Sequence, residues 1–158
     1  MLKSVSLLAA AVLLFTIQPA YSEEPANDTL NATGSSSIDQ RQLVSMPEQT
    51  QQLMRLDMLD HLAALNEIIG YLAENNLEAA ADVAETRMGK SSMGKHRATG
   101  MGPGRYMPLE MREIGWGMHE SATELSRFAQ KGDKKNAYIA MQKVTSACVA
   151  CHYSYRTR

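Results

Sequence analysis

Two cysteines and a histidine stand close together near the C-terminus, in the sequence Cys148-Val-Ala-Cys151-His152. On a helix, positions i, i+3 and i+4 share one face, so these three side chains can address a single ligand. Cys-x-x-Cys-His is the attachment sequence of c-type haem, in which each thiol forms a thioether with a haem vinyl group and the histidine ligates the iron. The chain has no other cysteine. The sequence therefore predicts one covalent haem c, with thioethers at Cys148 and Cys151 and an axial ligand at His152.

Two other interpretations of the cysteine pair are weaker. A thioredoxin-like motif places Cys-x-x-Cys at a helix start beside a strand, whereas this pair follows a long helical pattern with no strand-like run before it. A structural zinc site needs a second pair of ligands, and the histidines at positions 61, 96 and 119 are too scattered to supply it. A Cys148–Cys151 disulfide in a protein without haem, for instance a metal carrier, is the remaining alternative.

The N-terminus has the features of a secretory signal peptide at residues 1–22. Lys3 supplies a positive charge, residues 7–15 are mainly apolar, and Ala20-Tyr-Ser22 is a small-x-small cleavage site. The apolar run is short for a transmembrane helix, which needs about 20 residues. We expect cleavage after Ser22 and a periplasmic location, because c-type haem is attached outside the bacterial cytoplasm.

Composition favours a helical protein that does not bind polyanions. Aromatic residues make up 6% of the chain and the net charge is −1, while Ala, Leu, Met and Glu are plentiful, which favours helix. A slightly acidic chain does not indicate nucleic acid or an anionic membrane as a partner. The sequence also lacks a serine elbow, an HExxH sequence and a phosphate-binding loop, so we do not expect an enzyme.

Residues 23–45 are polar and show no apolar period. They predict a flexible leader between the signal peptide and a folded domain at residues 46–158. In the folded domain, apolar residues recur at steps of three and four, the period of an amphipathic helix.

Four amphipathic helices are predicted. The first begins at a capping box formed by Ser45 and Glu48, and Asn76 caps the second. A connection at residues 90–107, which contains several glycines and methionines, leads to the third helix. Asp133 caps the fourth. The predicted core positions are Met54, Met58, Leu62, Leu65, Ile69 and Leu72, then Leu77, Ala80, Ala81 and Ala84, then Met111, Ile114, Met118, Ala122, Leu125 and Phe128, and finally Ala137, Met141, Val144, Cys148, Cys151 and Tyr155. This pattern predicts an all-α, antiparallel four-helix bundle, with the haem inside it.

A Cys-x-x-Cys-His sequence on the last helix of an exported, all-helical chain resembles the cytochrome c-prime superfamily. The resemblance covers residues 46–158 and is specific at the C-terminus. It implies a four-helix bundle in which Cys148 and Cys151 hold the haem, His152 is the proximal ligand and Arg156 lies beside the proximal haem face. Family members often form antiparallel homodimers through their first two helices. The sequence leaves open whether this chain forms such a homodimer or is a monomer, because periodicity does not separate a dimer face from a core face.

The sixth coordination position of the iron decides between two functions. The family's distal residue lies on the first helix, and in low-spin members it is a methionine that binds the iron. Met58 stands at about that place, and a thioether is a soft ligand that raises the reduction potential. A Met58/His152 pair predicts an electron carrier with a periplasmic redox partner. Core packing is the alternative role of Met58; His61 would give a bis-histidine site, and a vacant position would give a protein that binds NO or CO.

Other side chains are weaker candidates. His96, His119, Arg97 and Arg105 can serve as partners of the haem or its propionates, although ordinary solvation is the simpler interpretation. Methionines at positions 88, 93, 101 and 107 suit Cu(I), but their spacing is irregular. Trp116, between two glycines, is expected to pack on the core or on the haem edge.

Overall fold

The computed structural model describes residues 39–158, and the predicted signal peptide and most of the predicted leader lie outside this range. Four α-helices make up most of the described chain: α1 spans Glu48–Ala73, α2 Leu77–Val83, α3 Leu109–Gln130 and α4 Lys134–Ser154. The predicted all-α class is therefore confirmed. Within residues 39–158, no helix is long and apolar enough to cross a membrane.

The helices begin in two different ways. The side chains of Asn76 and Asp133 accept hydrogen bonds of 3.3 and 3.1 Å from the backbone N–H three residues on, and so cap α2 and α4 as predicted. In contrast, α1 and α3 begin directly after a proline and have no side-chain cap. The predicted capping box is wrong, because α1 begins at Glu48, whereas a Ser45 cap requires Glu48 to be the third helical residue.

Short turns fill the segment between α2 and α3. The last turn of α2 continues into a π-helical turn at Ala84–Met88, and 3₁₀ turns follow at Lys90–Ser92, Arg97–Thr99 and Pro103–Arg105. Gly100 has a φ of 68°, a left-handed conformation that glycine adopts without steric cost. The predicted 90–107 connection is therefore a run of tight turns.

Each helix packs mainly on its neighbour in sequence: α1 on α2, α2 on α3 and α3 on α4. The backbones of α1 and α4 approach each other at few points. One core cluster draws on all four helices and consists mainly of small and apolar side chains. Its buried members are Ala64, Ile68, Leu72, Ala80, Ala81, Ala84, Met88, Met118, Ala122, Leu125, Ala129, Ala137, Ala140, Met141 and Val144.

The predicted seam of α1 is partly wrong. Leu62 and Ile69 are 65% and 55% exposed, whereas Ala64 and Ile68 are buried. The helical period was predicted correctly, but α1 is apolar on more than one face, so periodicity alone does not show which face is buried. The seams of α2, α3 and α4 contain most of the buried residues that were predicted. Six predicted seam residues are only partly buried: Leu77, Ile114, Phe128, Cys148, Cys151 and Tyr155.

The predicted leader is also folded at its end. A short strand β1, Gln42–Leu43, pairs in parallel with β2, Tyr155–Arg156, directly after α4. The Val44 N–H then donates a 2.8 Å hydrogen bond to the Arg156 carbonyl, and the Val44 side chain is only 3% exposed. Residues 42–44 therefore belong to the fold. The prediction of a flexible leader as far as residue 45 is wrong for them, since a two-residue strand is too short to give an alternating pattern.

Candidate functional site

A cavity of about 520 Å³ lies between α1, α3 and the 90–107 connection, with α4 contributing Cys151 at its edge. Many of the side chains that line the cavity carry a sulfur atom or an imidazole ring. The methionines that line it are Met54, Met58, Met93, Met107, Met111 and Met118, and the histidines are His61, His96 and His119. Such a wall is largely apolar, polarizable and rich in soft ligands.

The structure brings some of the predicted site residues together and leaves others outside. Met58, His61 and Cys151 all line the cavity. Cys148 does not line it and is half-buried, and His152 is exposed on the last turn of α4. The cavity therefore joins the predicted distal position on α1 with one of the two predicted attachment sites on α4.

The two cysteines are free thiols, not a disulfide. Burial raises the pKa of both thiols above the ordinary value, and the neighbouring Cys148 raises that of Cys151 further. The thiol form is therefore favoured at neutral pH. The structure therefore holds two reduced thiols, the groups that thioether formation requires, and one of them, Cys151, lies at the edge of the cavity.

The backbone that follows the Cys-x-x-Cys-His sequence is held by the segment before α1. The Arg41 guanidinium donates to the His152 carbonyl (3.4 Å), and Arg156 Nε donates to the Arg41 carbonyl (3.3 Å). Arg41 also forms a 2.7 Å ion pair with Asp39, whose pKa is lowered to about 2, chiefly by that hydrogen bond. Arg156, predicted to lie beside the haem, takes part in this contact between the two ends of the described chain.

His61 and His119 form a pair within the cavity. Their ring centroids are 5.9 Å apart and the ring planes meet at 81°. His119 Nδ1 lies 2.7 Å from the Met88 carbonyl oxygen, so Nδ1 carries a proton and donates it, which leaves the lone pair on Nε2. Burial, followed by the nearby His119, lowers the pKa of His61 below its ordinary value. The lowered pKa favours the neutral form of the His61 imidazole.

Asp57 ties the 90–107 connection to α1. Its carboxylate forms a 2.7 Å ion pair with Lys95 Nζ and lies 3.0 Å from His96 Nε2. His96, for which solvation was the simpler expectation, therefore pairs with a carboxylate whose side chain is only 15% exposed. This contact fixes one wall of the cavity and engages one ring nitrogen of His96.

Sequence reasoning missed Arg112. Its Nε atom is buried and, within the described chain, has no hydrogen-bond partner, while its guanidinium lies 5.9 Å from the centroid of the half-exposed Trp116 ring. Both residues line the cavity. The four-residue spacing of Arg112 and Trp116, on the same helix as Met111, was the available signal. A buried cationic donor without a partner is costly unless a ligand supplies an acceptor.

The cavity is positively charged. Lys95, Arg97, Arg105 and Arg112 line it, and Asp57 is the one carboxylate among the lining residues of the described chain. Arg105 donates 2.8 Å to the Gly100 carbonyl. A large, mostly apolar group that carries carboxylates at its edge matches this distribution, so the residues present fit a haem with its propionates.

No protein-family model, curated protein or solved structure matches this chain.

Proposed function

We propose that this protein is a periplasmic monohaem c-type cytochrome of the c-prime type, with an antiparallel four-helix bundle, that carries electrons to and from a redox partner protein. Cys148 and Cys151 hold the haem, His152 is the proximal ligand and Met58 is the distal ligand. One observation carries the proposal: Met58 on α1 and Cys151 on α4, far apart in sequence, line the same cavity. The roles of Cys148 and His152 rest on the sequence motif.

The composition of the cavity supports a haem in three ways. Methionine side chains give an apolar and polarizable surface, the cations supply partners for two propionates, and the buried Arg112 Nε atom lacks an acceptor. When bound, haem supplies a one-electron Fe(III)/Fe(II) couple. The chain's own contribution is to exclude water, to present a soft thioether that favours the ferrous form, and to set the dielectric around the site.

Absorption spectra of the exported protein, matured with its haem, test the proposal. We expect a low-spin ferrous spectrum that CO does not change, and a covalent haem mass on the chain. Met58→Ala should give a high-spin spectrum and CO binding, because the sixth position is then vacant. Met54→Ala is the matched control, since Met54 lines the same cavity one helical turn away, and it should remain low-spin.

The outcomes separate the two functions. An unchanged spectrum in Met58→Ala would exclude Met58 as the ligand. A wild-type spectrum that is already high-spin and shifts on adding CO would favour a five-coordinate protein that binds NO or CO. A chain of unmodified mass, exported through an intact haem-maturation pathway, would refute the cytochrome assignment.

An exposed apolar face on α1 supports a homodimer, one of the two oligomeric states that the sequence left open. Leu56, Leu59 and Leu62 are each more than 60% exposed, and Ile69 is 55% exposed on the same helix. Unpaired apolar side chains at helical spacing commonly mark a protein–protein contact. Sedimentation equilibrium should show a dimer that Leu59→Lys converts to monomer, whereas Ile139→Lys, at a 47% exposed site on α4, should not. A monomeric wild-type protein at every concentration would refute the homodimer.

A further inference from the structure

One face of α4 is turned to solvent and mixes apolar with polar side chains. Its members are all exposed and recur at steps of three and four residues, which places them in one row on the helix. This row, which we call the α4 outer face, consists of Ile139, Gln142, Ser146, Val149 and Tyr153. Ile139 is 47% exposed and Tyr153 is 81% exposed. Exposed apolar and aromatic side chains at helical spacing commonly mark a protein–protein contact.

The charge at this end of the chain is positive. Residues 134–158 contain five Lys or Arg and no Asp or Glu, whereas residues 39–133 contain ten Lys or Arg and fourteen Asp or Glu. With histidines counted as neutral, the side chains of the two segments carry +5 and −4. The exposed Lys135 and Lys143 flank the α4 outer face, one turn before and one turn after Ile139. Lys143 also pairs with Glu124 on α3 (3.0 Å).

We propose that the α4 outer face docks a partner protein through an acidic surface of that partner with an apolar centre. Complementary charge steers two proteins together and aligns them, and aromatic and apolar side chains at the centre of the contact supply short-range affinity. The α4 outer face has both parts, because Ile139, Val149 and Tyr153 form the row and the two lysines lie beside it.

The position of the face suggests what the partner does. Val149 lies between Cys148 and Cys151, and Tyr153 directly follows His152. A protein docked on this face therefore lies beside the residues that are proposed to hold the haem. That the partner is the electron donor or acceptor rests on the proposed function, whereas the docking surface itself does not.

The α4 outer face differs in composition from the face of α1 to which the homodimer is assigned. The large apolar side chains exposed on α1 are all leucine or isoleucine. On α4, an amide, hydroxyl groups and ammonium groups lie among the apolar side chains. Permanent homodimer contacts are the more apolar class, whereas transient contacts are mixed. The composition of the α4 outer face is therefore that of a transient contact with a different protein.

A protein also fits this face better than an anionic membrane does. A helix that lies on a membrane has a continuous apolar sector, whereas Gln142 and Ser146 interrupt the apolar row of α4. Recognition of anionic lipids commonly uses about four or more clustered cations, and the lysines that flank the α4 outer face are Lys135 and Lys143.

An NMR titration of the ¹⁵N-labelled, exported holoprotein with flavodoxin, an acidic electron-transfer protein, tests the surface. Both proteins are kept oxidised, so that neither can donate an electron. We expect amide shifts clustered at the exposed positions of residues 135–153. The affinity should fall as the salt concentration is raised from about 0.02 M to about 0.2 M, because the charges are then screened. Since the chain has a net charge of −1, a contact governed by net charge alone would not weaken in this way, and that result would overturn the proposal.

Two variants with matched controls locate the contact. Lys135→Gln should weaken binding by up to about 5-fold, the range of one exposed ion pair, and Ile139→Gln should weaken it by about 5-fold or more, as at a central contact residue. Lys90→Gln, in a 3₁₀ turn that packs on α3, and Leu109→Gln, at a 49% exposed residue of α3, should leave the affinity unchanged. Shifts centred on another face, or equal effects in the variants and their controls, would overturn the proposal.

Two further measurements test the other occupants of the face. Binding of the holoprotein to vesicles of phosphatidylcholine and phosphatidylglycerol that is lost in Lys135→Gln would assign the face to a membrane. Conversion of a dimer to monomer by Ile139→Lys would assign it to a second copy of the chain. Either result would overturn the proposal, and we expect neither.

The docking surface and its redox role can fail separately. With reduced flavodoxin, one electron passes from the flavin to the ferric haem, and the second-order rate constant should fall in Lys135→Gln in proportion to the affinity. Weakened binding with an unchanged rate constant would overturn the redox role of the face and leave the cytochrome assignment intact. An exported chain of unmodified mass would refute that assignment, and flavodoxin-induced shifts on α4 of the same chain would still support the docking surface.

Discussion

The two ends of the helices are built from different kinds of residues. At the closed end, near the α1–α2 and α3–α4 connections, small side chains such as Ala64 and Ala122 pack with Leu72 and Leu125, all almost fully buried. At the cavity end, the same α1 and α3 present long, flexible methionines, histidines and arginines. Small residues allow close helix packing at high density. Long polar and sulfur-containing residues leave space for a ligand, so stability and binding are separated along the helices.

The largest expected effect tests where the core lies. Leu72→Ala, at the closed end, should lower the free energy of unfolding by about 2–5 kcal/mol, because it removes a fully buried side chain and leaves a cavity. Leu62→Ala on the same helix is the control and should change it by about 0.5 kcal/mol or less, since Leu62 is 65% exposed. Urea unfolding at low protein concentration, where a dimer would dissociate, provides the measurement. Equal losses in the two variants would contradict the distinction between the faces of α1.

The next effect tests whether the cavity end is adapted to an anionic ligand. In the haem-loaded protein, Arg112→Met should lower the free energy of unfolding by about 1.5–3 kcal/mol, the usual contribution of a hydrogen bond to a charged group. In Cys148→Ser/Cys151→Ser, which cannot attach haem, the same change should be neutral or stabilising, because a buried donor without a partner is removed. Thermal unfolding of the two forms gives the comparison. Arg127→Met, at a 57% exposed side chain of α3, is the control, and an equal cost of Arg112→Met with and without haem would argue against a ligand contact.

The smallest effect concerns the ion pair between α1 and the π-helical turn. Arg87 donates to Asp60 (2.6 Å) and Glu67 (2.7 Å), and the hydrogen bond from Arg87 lowers the pKa of Asp60 below its ordinary value of 3.8. Because the pKa of Asp60 is lower in the folded state, its ion pair with Arg87 stabilises the folded protein above pH 3.8. This stabilisation is lost as the pH falls through the folded-state pKa of Asp60.

Arg87→Met should therefore lower the free energy of unfolding by about 0.5–1 kcal/mol at neutral pH. This value is modest because the Arg87–Asp60 ion pair is partly exposed. At pH values below the lowered folded-state pKa of Asp60, the variant and the wild type should have nearly the same stability. Chemical unfolding at a series of pH values measures both. A difference in stability that does not change with pH would show that Arg87 acts through packing and not through its charge.

Much of the fold followed from the sequence. The helix boundaries near Asn76 and Asp133 were predictable because side-chain caps act over three residues. Most core positions of α2, α3 and α4 were predictable because their apolar residues recur at helical spacing, although α4 also has exposed apolar side chains at Ile139 and Val149. The buried face of α1 was not predictable, since leucines and isoleucines occupy several of its faces. The β1–β2 pair was missed because it joins two segments at opposite ends of the described chain, and two residues carry no periodic signal.

The sequence by itself predicted the haem attachment proposed here for the C-terminus, since the spacing of Cys148, Cys151 and His152 is local. It also determined four helices, because capping and periodicity act over a few residues. Only the tertiary structure placed Met58 and Cys151 in one cavity, paired His61 with His119 and left Arg112 Nε without a partner. These relationships join residues of different helices, and they depend on how the helices pack, which no short-range pattern encodes.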